Sequence, residues 1–194
     1  MTKVPGTFVI FLKVKGTFMQ GKLLDKYGIK QLGYYVKSIE ETAQNMADAL
    51  GAGPFFDMGA HPMAELKVRG KESTSLTRTA MGHMNDIQIE LIELANDEPN
   101  VYDELGHYGL HHVCIWVDDA DAVAKEFVDA GYEIAMELTS GQGLKVYYID
   151  AREKIGNFIE INAPMEQLYM GIKMQHENWD GTRPLRSVAE LMGR

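Results

Sequence analysis

Four polar side chains interrupt otherwise apolar, strand-like runs. They are Gln31 in Gln-Leu-Gly-Tyr-Tyr-Val, Glu90 in Ile-Glu-Leu-Ile, His112 in His-His-Val-Cys-Ile-Trp-Val and Glu160 in Phe-Ile-Glu-Ile. An amide oxygen, an imidazole nitrogen and two carboxylates make a mixed donor set that suits a divalent ion, with positions left for substrate or water. The two carboxylates would balance the ion's charge. Taken singly, each residue has a plainer reading, because a Glu in a strand usually lies on an exposed face and a lone His is commonly a hydrogen-bonded core residue. What argues for a shared site is where the four fall.

Successive side chains of a strand face opposite ways. Gln31 therefore shares a face with Gly33 and Tyr35, Glu90 with Gln88, His112 with Cys114 and Trp116, and Glu160 with Phe158 and Asn162. Leu32, Tyr34 and Val36, Ile89 and Leu91, Val113 and Ile115, and Ile159 and Ile161 point the other way. Helices would cover that aliphatic face and leave the polar one to line a cavity. On the same alternation, His111 points away from His112 and reads as structural.

The elements that would position these residues occur twice. Gln31 opens a strand that runs into a helix ending at Gly51, and His112 opens a strand that runs into a helix ending at Gly131. In the first copy Ser38 and Glu41 read as a capping box, with Ile39, Ala43, Met46, Ala47 and Leu50 on one helical face. In the second, Asp118 or Asp119 caps, and Ala124, Phe127 and Val128 supply the buried face. Strand-like runs follow at 64–69, 75–79 and 86–94, then at 133–138, 144–149 and 157–162. Each half reads β-α-β-β-β, and a twofold arrangement of the halves would bring the four polar residues together.

Modules of about 70 residues are marginal alone, so the sequence predicts an α+β protein whose modules, 28–95 and 109–164, pair into one domain spanning 28–164. Residues 95–110, rich in Asn, Asp, Pro and Gly, read as the linker between them. Residues 1–27 form an N-terminal extension, read as an added strand or hairpin, with the echo Pro5-Gly-Thr-Phe and Lys15-Gly-Thr-Phe. Residues 165–194 form a C-terminal helical tail: an amphipathic helix over 165–176, a loop from Asn178, and a short final helix.

Composition narrows the partners. The 194 residues are 45% hydrophobic and 24% charged, with a net charge of −9, which disfavours phosphate backbones and anionic lipid surfaces. No nucleic acid or membrane partner is expected. The single cysteine, Cys114, cannot form an internal disulfide and reads as a small buried thiol. The apolar run 8–12 is too short to span a bilayer and has no small-residue cleavage site after it, so a cytoplasmic location is expected.

The four polar strands in this order resemble the vicinal oxygen chelate superfamily, which includes glyoxalase I, methylmalonyl-CoA epimerase, extradiol dioxygenases and bleomycin-resistance proteins. The resemblance covers about residues 29–164. Tyr147-Tyr-Ile-Asp-Ala-Arg152 is similar to the penultimate strand of that superfamily, and Trp179-Asp-Gly-Thr-Arg-Pro to an ending found in a bacterial branch of it. The resemblance implies paired modules curled into a cup-shaped mixed sheet with helices outside. It also implies one divalent ion per chain (Zn, Ni, Co or Mn) on Gln31, Glu90, His112 and Glu160. A Gln, Glu, His, Glu set is most similar to glyoxalase I, whereas methylmalonyl-CoA epimerases usually carry His first and Gln second. Extradiol dioxygenases use two His and one carboxylate on iron, and a neutral amide in place of the first His argues against oxygen activation.

The activity implied is that of a metal-dependent isomerase, epimerase or lyase forming an enolate or enediolate next to a carbonyl of a small molecule. Glu160, in the last strand, is the first choice for the base, and Glu90 the second. The alternatives are a non-enzymatic binder of the bleomycin-resistance type and a ring-cleaving dioxygenase. Tyr35, Trp116, Tyr148 and Phe158 are candidates to wall the pocket, and Arg152 to hold a substrate carboxylate. Lys67, Arg69 and Lys71 share one strand face, which could bind an anion or simply be solvated. The resemblance and the two extensions together predict a homodimer.

Overall fold

The computed structural model describes residues 26–193. The hairpin expected of the N-terminal extension lies almost wholly outside them. The first module comprises β1 (Gln31–Tyr35), α1 (Ile39–Leu50), β2 (Phe55–Ala60), β3 (Glu65–Val68), β4 (Lys71–Glu72), β5 (Thr77–Met84) and β6 (Ile87–Leu94). After a 3-10 turn at Asp103–Leu105 come β7 (Gly109–Trp116), α2 (Ala120–Asp129), β8 (Glu133–Thr139), β9 (Lys145–Asp150), a short α3 (Arg152–Ile155) and β10 (Phe158–Asn162). The chain then forms α4 (Glu166–Glu177), β11 (Leu185–Ser187) and α5 (Val188–Leu191). None of the helices described is long and apolar enough to cross a membrane.

One mixed sheet holds every strand, in the order β11-β2-β5-β6-β1-β7-β10-β9-β8-β3-β4. Within each module the first strand runs parallel to the last, β1 to β6 and β7 to β10. The modules meet where β1 pairs antiparallel with β7, so the two opening strands lie side by side at the centre.

The sheet is strongly curled, and chain connectivity requires it. Strands β2 and β3 are eight steps apart in the order, roughly 38 Å across a flat sheet at about 4.8 Å per step. Only residues 61–64 join them, and five extended peptide steps reach about 17 Å. The two edges must therefore approach each other, which produces the expected cup. Hairpin β3–β4 belongs to the first module in sequence but pairs with β8 of the second. Its tight turn uses Arg69 at φ 51 and Gly70 at φ 74, the two left-handed positions of a two-residue hairpin.

This differs from the expected strand count. The run 64–69 reads as the second strand of the first module, but that role belongs to β2, which pairs with β5. Residues 55–60 follow Gly51-Ala-Gly-Pro and lack clean alternation, whereas 64–69 alternates well because it too has one buried face, in the other module.

Both helices lie on the convex side. Ser38 Oγ accepts from the Glu41 N–H and caps α1, and Asp119 Oδ1 accepts from Ala122 and caps α2. Ile39 and Ala43 pack on Ala80, Ile89 and Leu91, while Val123, Ala124 and Phe127 pack on Val113, Ile115, Ile149 and Ile161. Leu50 and Val128, expected on the buried faces, are 57% and 46% exposed, each in the last turn of its helix. On the concave side, α4 lies across β5, with Tyr169 edge-on to both His83 and Trp116.

At the centre of the cup Gly33 of β1 lies opposite His112 of β7. A Cβ on Gly33 would fall 2.0 Å from Cε1 and 2.1 Å from Nε2 of the His112 ring, so the imidazole occupies the space that any larger residue would fill. We expect Gly33→Ala to destabilise the fold by about 2 kcal/mol or more in denaturant titration, as overpacking does. Wild-type stability in this variant would show that the ring has another place to go.

Candidate metal centre

Strand register sets the site as two adjacent rows across the concave face. One row runs Gln88, Gln31, Cys114, Glu160, Tyr148, and the next runs Glu90, Gly33, His112, Phe158, Asp150. Glu90, His112 and Glu160 are all buried, and one donor atom from each lies within 4.8 Å of the others. Ligands at about 2.0–2.2 Å from a common ion can be no more than about 4.4 Å apart, so a small inward adjustment would bring all three onto one ion.

The His112 Nε2 atom is the centre of this group. It lies 2.8 Å from Glu160 Oε2 and 3.6 Å from Glu90 Oε2, yet it makes no hydrogen bond of acceptable angle and is fully buried. An imidazole nitrogen this close to two carboxylates, at an angle that suits neither for a hydrogen bond, suits a cation placed among them. Gln31 donates its amide nitrogen to Gln88 Oε1 at 2.9 Å, which leaves its oxygen as the donor free for an ion. The residues present therefore fit a divalent ion.

The other ring nitrogen of His112 is also engaged. Its Nδ1 lies 3.1 Å from His111 Nδ1, and His111 Nε2 lies 3.3 Å from the Val101 carbonyl. The protonation that satisfies both contacts has His111 Nε2–H donating to Val101 and His112 Nδ1–H donating to His111, which leaves Nε2 of His112 facing the carboxylates as the atom that carries a proton or would meet an ion. His111 thus does not point away from His112. The β1–β7 register skips one residue between Gly33 and Tyr34, pairing Tyr34 with Leu110, and this bulge at His111 puts two consecutive histidines on one side.

The two carboxylates sit differently. Glu160 accepts from Tyr148 Oη at 3.1 Å and from Asn162 Nδ2 at 3.0 Å, whereas Glu90 has His112 as its polar contact. Burial pushes Glu90 above the usual carboxylate range, with His112 only partly offsetting it. Burial acts on Glu160 in the same sense, but the adjacent His112 imidazolium and the hydrogen bonds from Asn162 and Tyr148 outweigh it and hold Glu160 low. Burial alone would lower His112, yet the adjacent Glu160 and Glu90 carboxylates raise it to about 9. His111, buried beside that imidazolium, is pushed down to about 3. Burial and the nearby glutamates push the Cys114 thiol well up.

The remaining candidates divide. Tyr35, Tyr148, Phe158 and Arg152 gather at one end of the cup around Tyr102, which sequence reasoning left in a linker. Tyr102 Oη reaches Tyr148 Oη at 3.4 Å. Trp116 lies at the other end, against Tyr169 of α4. Lys67 pairs with Glu137 at the surface, while Arg69 turns inward toward Glu104 and Asp150. Asn162, Gln88 and His111 support the site without having been singled out. Asn162 and Gln88 each left a sequence signal, sharing the faces of Glu160 and Glu90 two residues away.

Residues 30–148 match the Glyoxalase/Bleomycin resistance protein/Dioxygenase superfamily. The chain belongs to that superfamily. No curated protein matches this sequence. Among solved structures, the hypothetical protein BH1468 from Bacillus halodurans C-125 is 19% identical, with a TM-score of 0.51 over 72% of this chain and 95% of that one. A methylmalonyl-CoA epimerase from Streptomyces coelicolor, a Q60A variant in complex with 2-nitronate-propionyl-CoA, is 18% identical, with a TM-score of 0.50 over 71% of this chain and 96% of that one. At these identities the likeness concerns the fold.

With a folded-state pKa near 9, His112 carries a proton at pH 7 that a metal ion must displace. Titration of metal-stripped protein with Zn²⁺ should give about one ion per chain and release about one proton at pH 7, falling toward none above pH 9. Calorimetry in buffers of different ionisation enthalpy measures this. His112→Ala should abolish both the ion and the proton; full occupancy in that variant would remove His112 from the site.

Proposed function

We propose that this protein is a metal-dependent isomerase, epimerase or lyase that removes a proton next to a carbonyl of a small molecule. The observation that carries the reading is the buried group of Glu90, His112 and Glu160, with the unpaired Nε2 of His112 turned toward both carboxylates. His112 Nε2, Glu160, Glu90 and the Gln31 amide oxygen would hold a divalent ion of the Zn, Ni, Co or Mn type. When bound, the ion supplies Lewis-acid polarisation of the substrate carbonyl and so acidifies the neighbouring C–H.

The tethering of the two glutamates supports different roles for them. Glu160 is held by Tyr148, Asn162 and His112, and leaving its place would cost all three contacts. Glu90 would break only its contact with His112, and a buried carboxylate of raised pKa is suited to take a proton near neutrality. This favours Glu90, the second choice from the sequence, over Glu160, the first, as the base. Glu90 takes the α proton while the C–H electron pair moves toward the carbonyl oxygen to give the enolate. Protonation of the opposite face of the same carbon by a second acid gives epimerisation, and return of the proton by Glu90 to the neighbouring carbon of an enediolate gives isomerisation.

In deuterated water, the metal-loaded enzyme should introduce deuterium at the α carbon of at least one compound in a panel of 2-hydroxy and 2-oxo acyl compounds, thiohemiacetals and 2-methyl-branched acyl thioesters. Glu90→Gln should slow that exchange by about 10²- to 10⁴-fold with the metal retained. Normal exchange in Glu90→Gln together with its loss in metal-retaining Glu160→Gln would return the base to Glu160. Tight binding of a panel compound with no exchange at all would leave a non-catalytic binding protein.

A further inference from the structure

The end of the cup above His112 is filled by the chain itself. Residues 100–106 pass over it, and Val101 and Tyr102 are buried there at 0% and 5% exposure. Tyr102 packs between His111, Tyr148 and Tyr35, with ring centroids 4.7, 6.1 and 6.0 Å away. Beneath this part of the cup Glu90, His112 and Glu160 are 8%, 0% and 4% exposed, and the strap is one of the segments that cover them.

A carboxylate holds the strap down. Glu104, two residues beyond Tyr102, accepts from Arg69 Nε at 3.0 Å and from Arg69 Nη2, and lies 3.1 Å from Arg152 Nη2. Arg152 also donates to the Glu104 backbone carbonyl at 2.8 Å. Both guanidinium groups are anchored independently of the strap by Asp150, which Arg69 meets at 2.5 Å and Arg152 at 2.6 and 2.9 Å. Arg152 lies over the Phe158 ring at 4.8 Å. Glu133, 82% exposed, touches the outer edge of Arg69 at 3.4 Å.

Removal of Glu104 would leave two arginines against the one buried-side partner, Asp150, with a net charge near +1 facing the cup. That matches one carboxylate better than a phosphate dianion, and the fork geometry of arginine accepts a carboxylate through two bonds. Asp150, Phe158 and His112 lie in one row on neighbouring strands, so the arginine anchor stands two strand spacings, about 10 Å, from His112.

We propose that Arg69 and Arg152 form a carboxylate subsite of the His112 centre, filled by Glu104 of the chain's own strap. A substrate carboxylate takes the place of Glu104 and releases the strap. The substrate class is then an acid whose carboxylate is separated by several bonds from the reacting carbonyl. Gly106 at φ 76 and Gly109 at φ 135 bracket the end of the strap, where the backbone can turn without side-chain hindrance. This inference rests on the proposed reading of the site and names its substrate class.

Glutarate serves as the probe, with uncharged glutaramide and inorganic phosphate as controls, on full-length metal-loaded protein. Glu104→Ala should bind glutarate at least fivefold more tightly than wild type by calorimetry, and Glu104→Ala/Arg152→Gln should lose that gain. Glutaramide should not bind. In wild type, saturating glutarate should speed amide hydrogen exchange over residues 102–106 while leaving β7 and β10 unchanged, a readout that survives if the variants fail to fold. Equal glutarate affinity in wild type and Glu104→Ala, or slower exchange in the strap, would overturn the proposal, and phosphate binding more tightly than glutarate would overturn the carboxylate assignment. Metal content is measured on the same samples. Failure of glutarate binding in protein with its full metal counts against this subsite alone, whereas glutarate binding in protein that takes up no metal counts against the metal-dependent reading alone.

Discussion

Two carboxylates, Glu90 and Glu160, are buried on either side of one imidazole, and a protein interior tolerates such a group only if its charge is balanced and its lone pairs are used. Much of the architecture follows from that requirement. The His112 ring needs the space above Gly33, so β1 must present a glycine where its neighbours present large residues. Glu160 is fixed by Tyr148 and Asn162, drawn from two neighbouring strands of the second module. Glu90 comes from the first module, so the charge balance also couples the two halves. A divalent ion among the three would balance the charge of both carboxylates.

The topology supplies what neither half could build alone. Because the opening strands β1 and β7 pair at the centre, the closing strands β6 and β10 flank them, and all four polar positions fall within two adjacent rows. The β3–β4 hairpin crosses to the far edge of the sheet and carries Arg69 to Asp150 of the other module. The cup is thereby tied at its rim as well as at its centre. The segment between the modules becomes the cover of the cup, with Tyr102 as its apolar anchor and Glu104 as its polar one.

Most of this plan is legible in the sequence where periodicity carries it. The alternation around Gln31, Glu90, His112 and Glu160 predicts one polar face on four strands, and Ser38 and Asp119 mark both helix starts. What periodicity does not carry is lost. The bulge at His111 adds one residue to a strand without altering its composition, so alternation places that ring on the wrong side. Strand β2 hides behind Gly51-Ala-Gly-Pro, and β3 reads correctly as a strand while giving no sign of which module it joins. Tyr102 and Glu104 sit in a run of Asn, Asp, Pro and Gly that reads as linker, because loop residues acquire their burial only from the surfaces they cross.

The central claim is that Glu90, His112 and Glu160 act as ligands of one ion rather than as a self-satisfied ion-pair cluster. X-ray absorption spectroscopy on protein loaded with one equivalent of Zn²⁺ tests it most directly. The account predicts a first shell of oxygen and nitrogen donors at about 2.0–2.2 Å with the outer-shell scattering of a single imidazole and no sulfur. A sulfur donor at about 2.3 Å, which would place the ion on Cys114, or a shell with no imidazole at all, would contradict it.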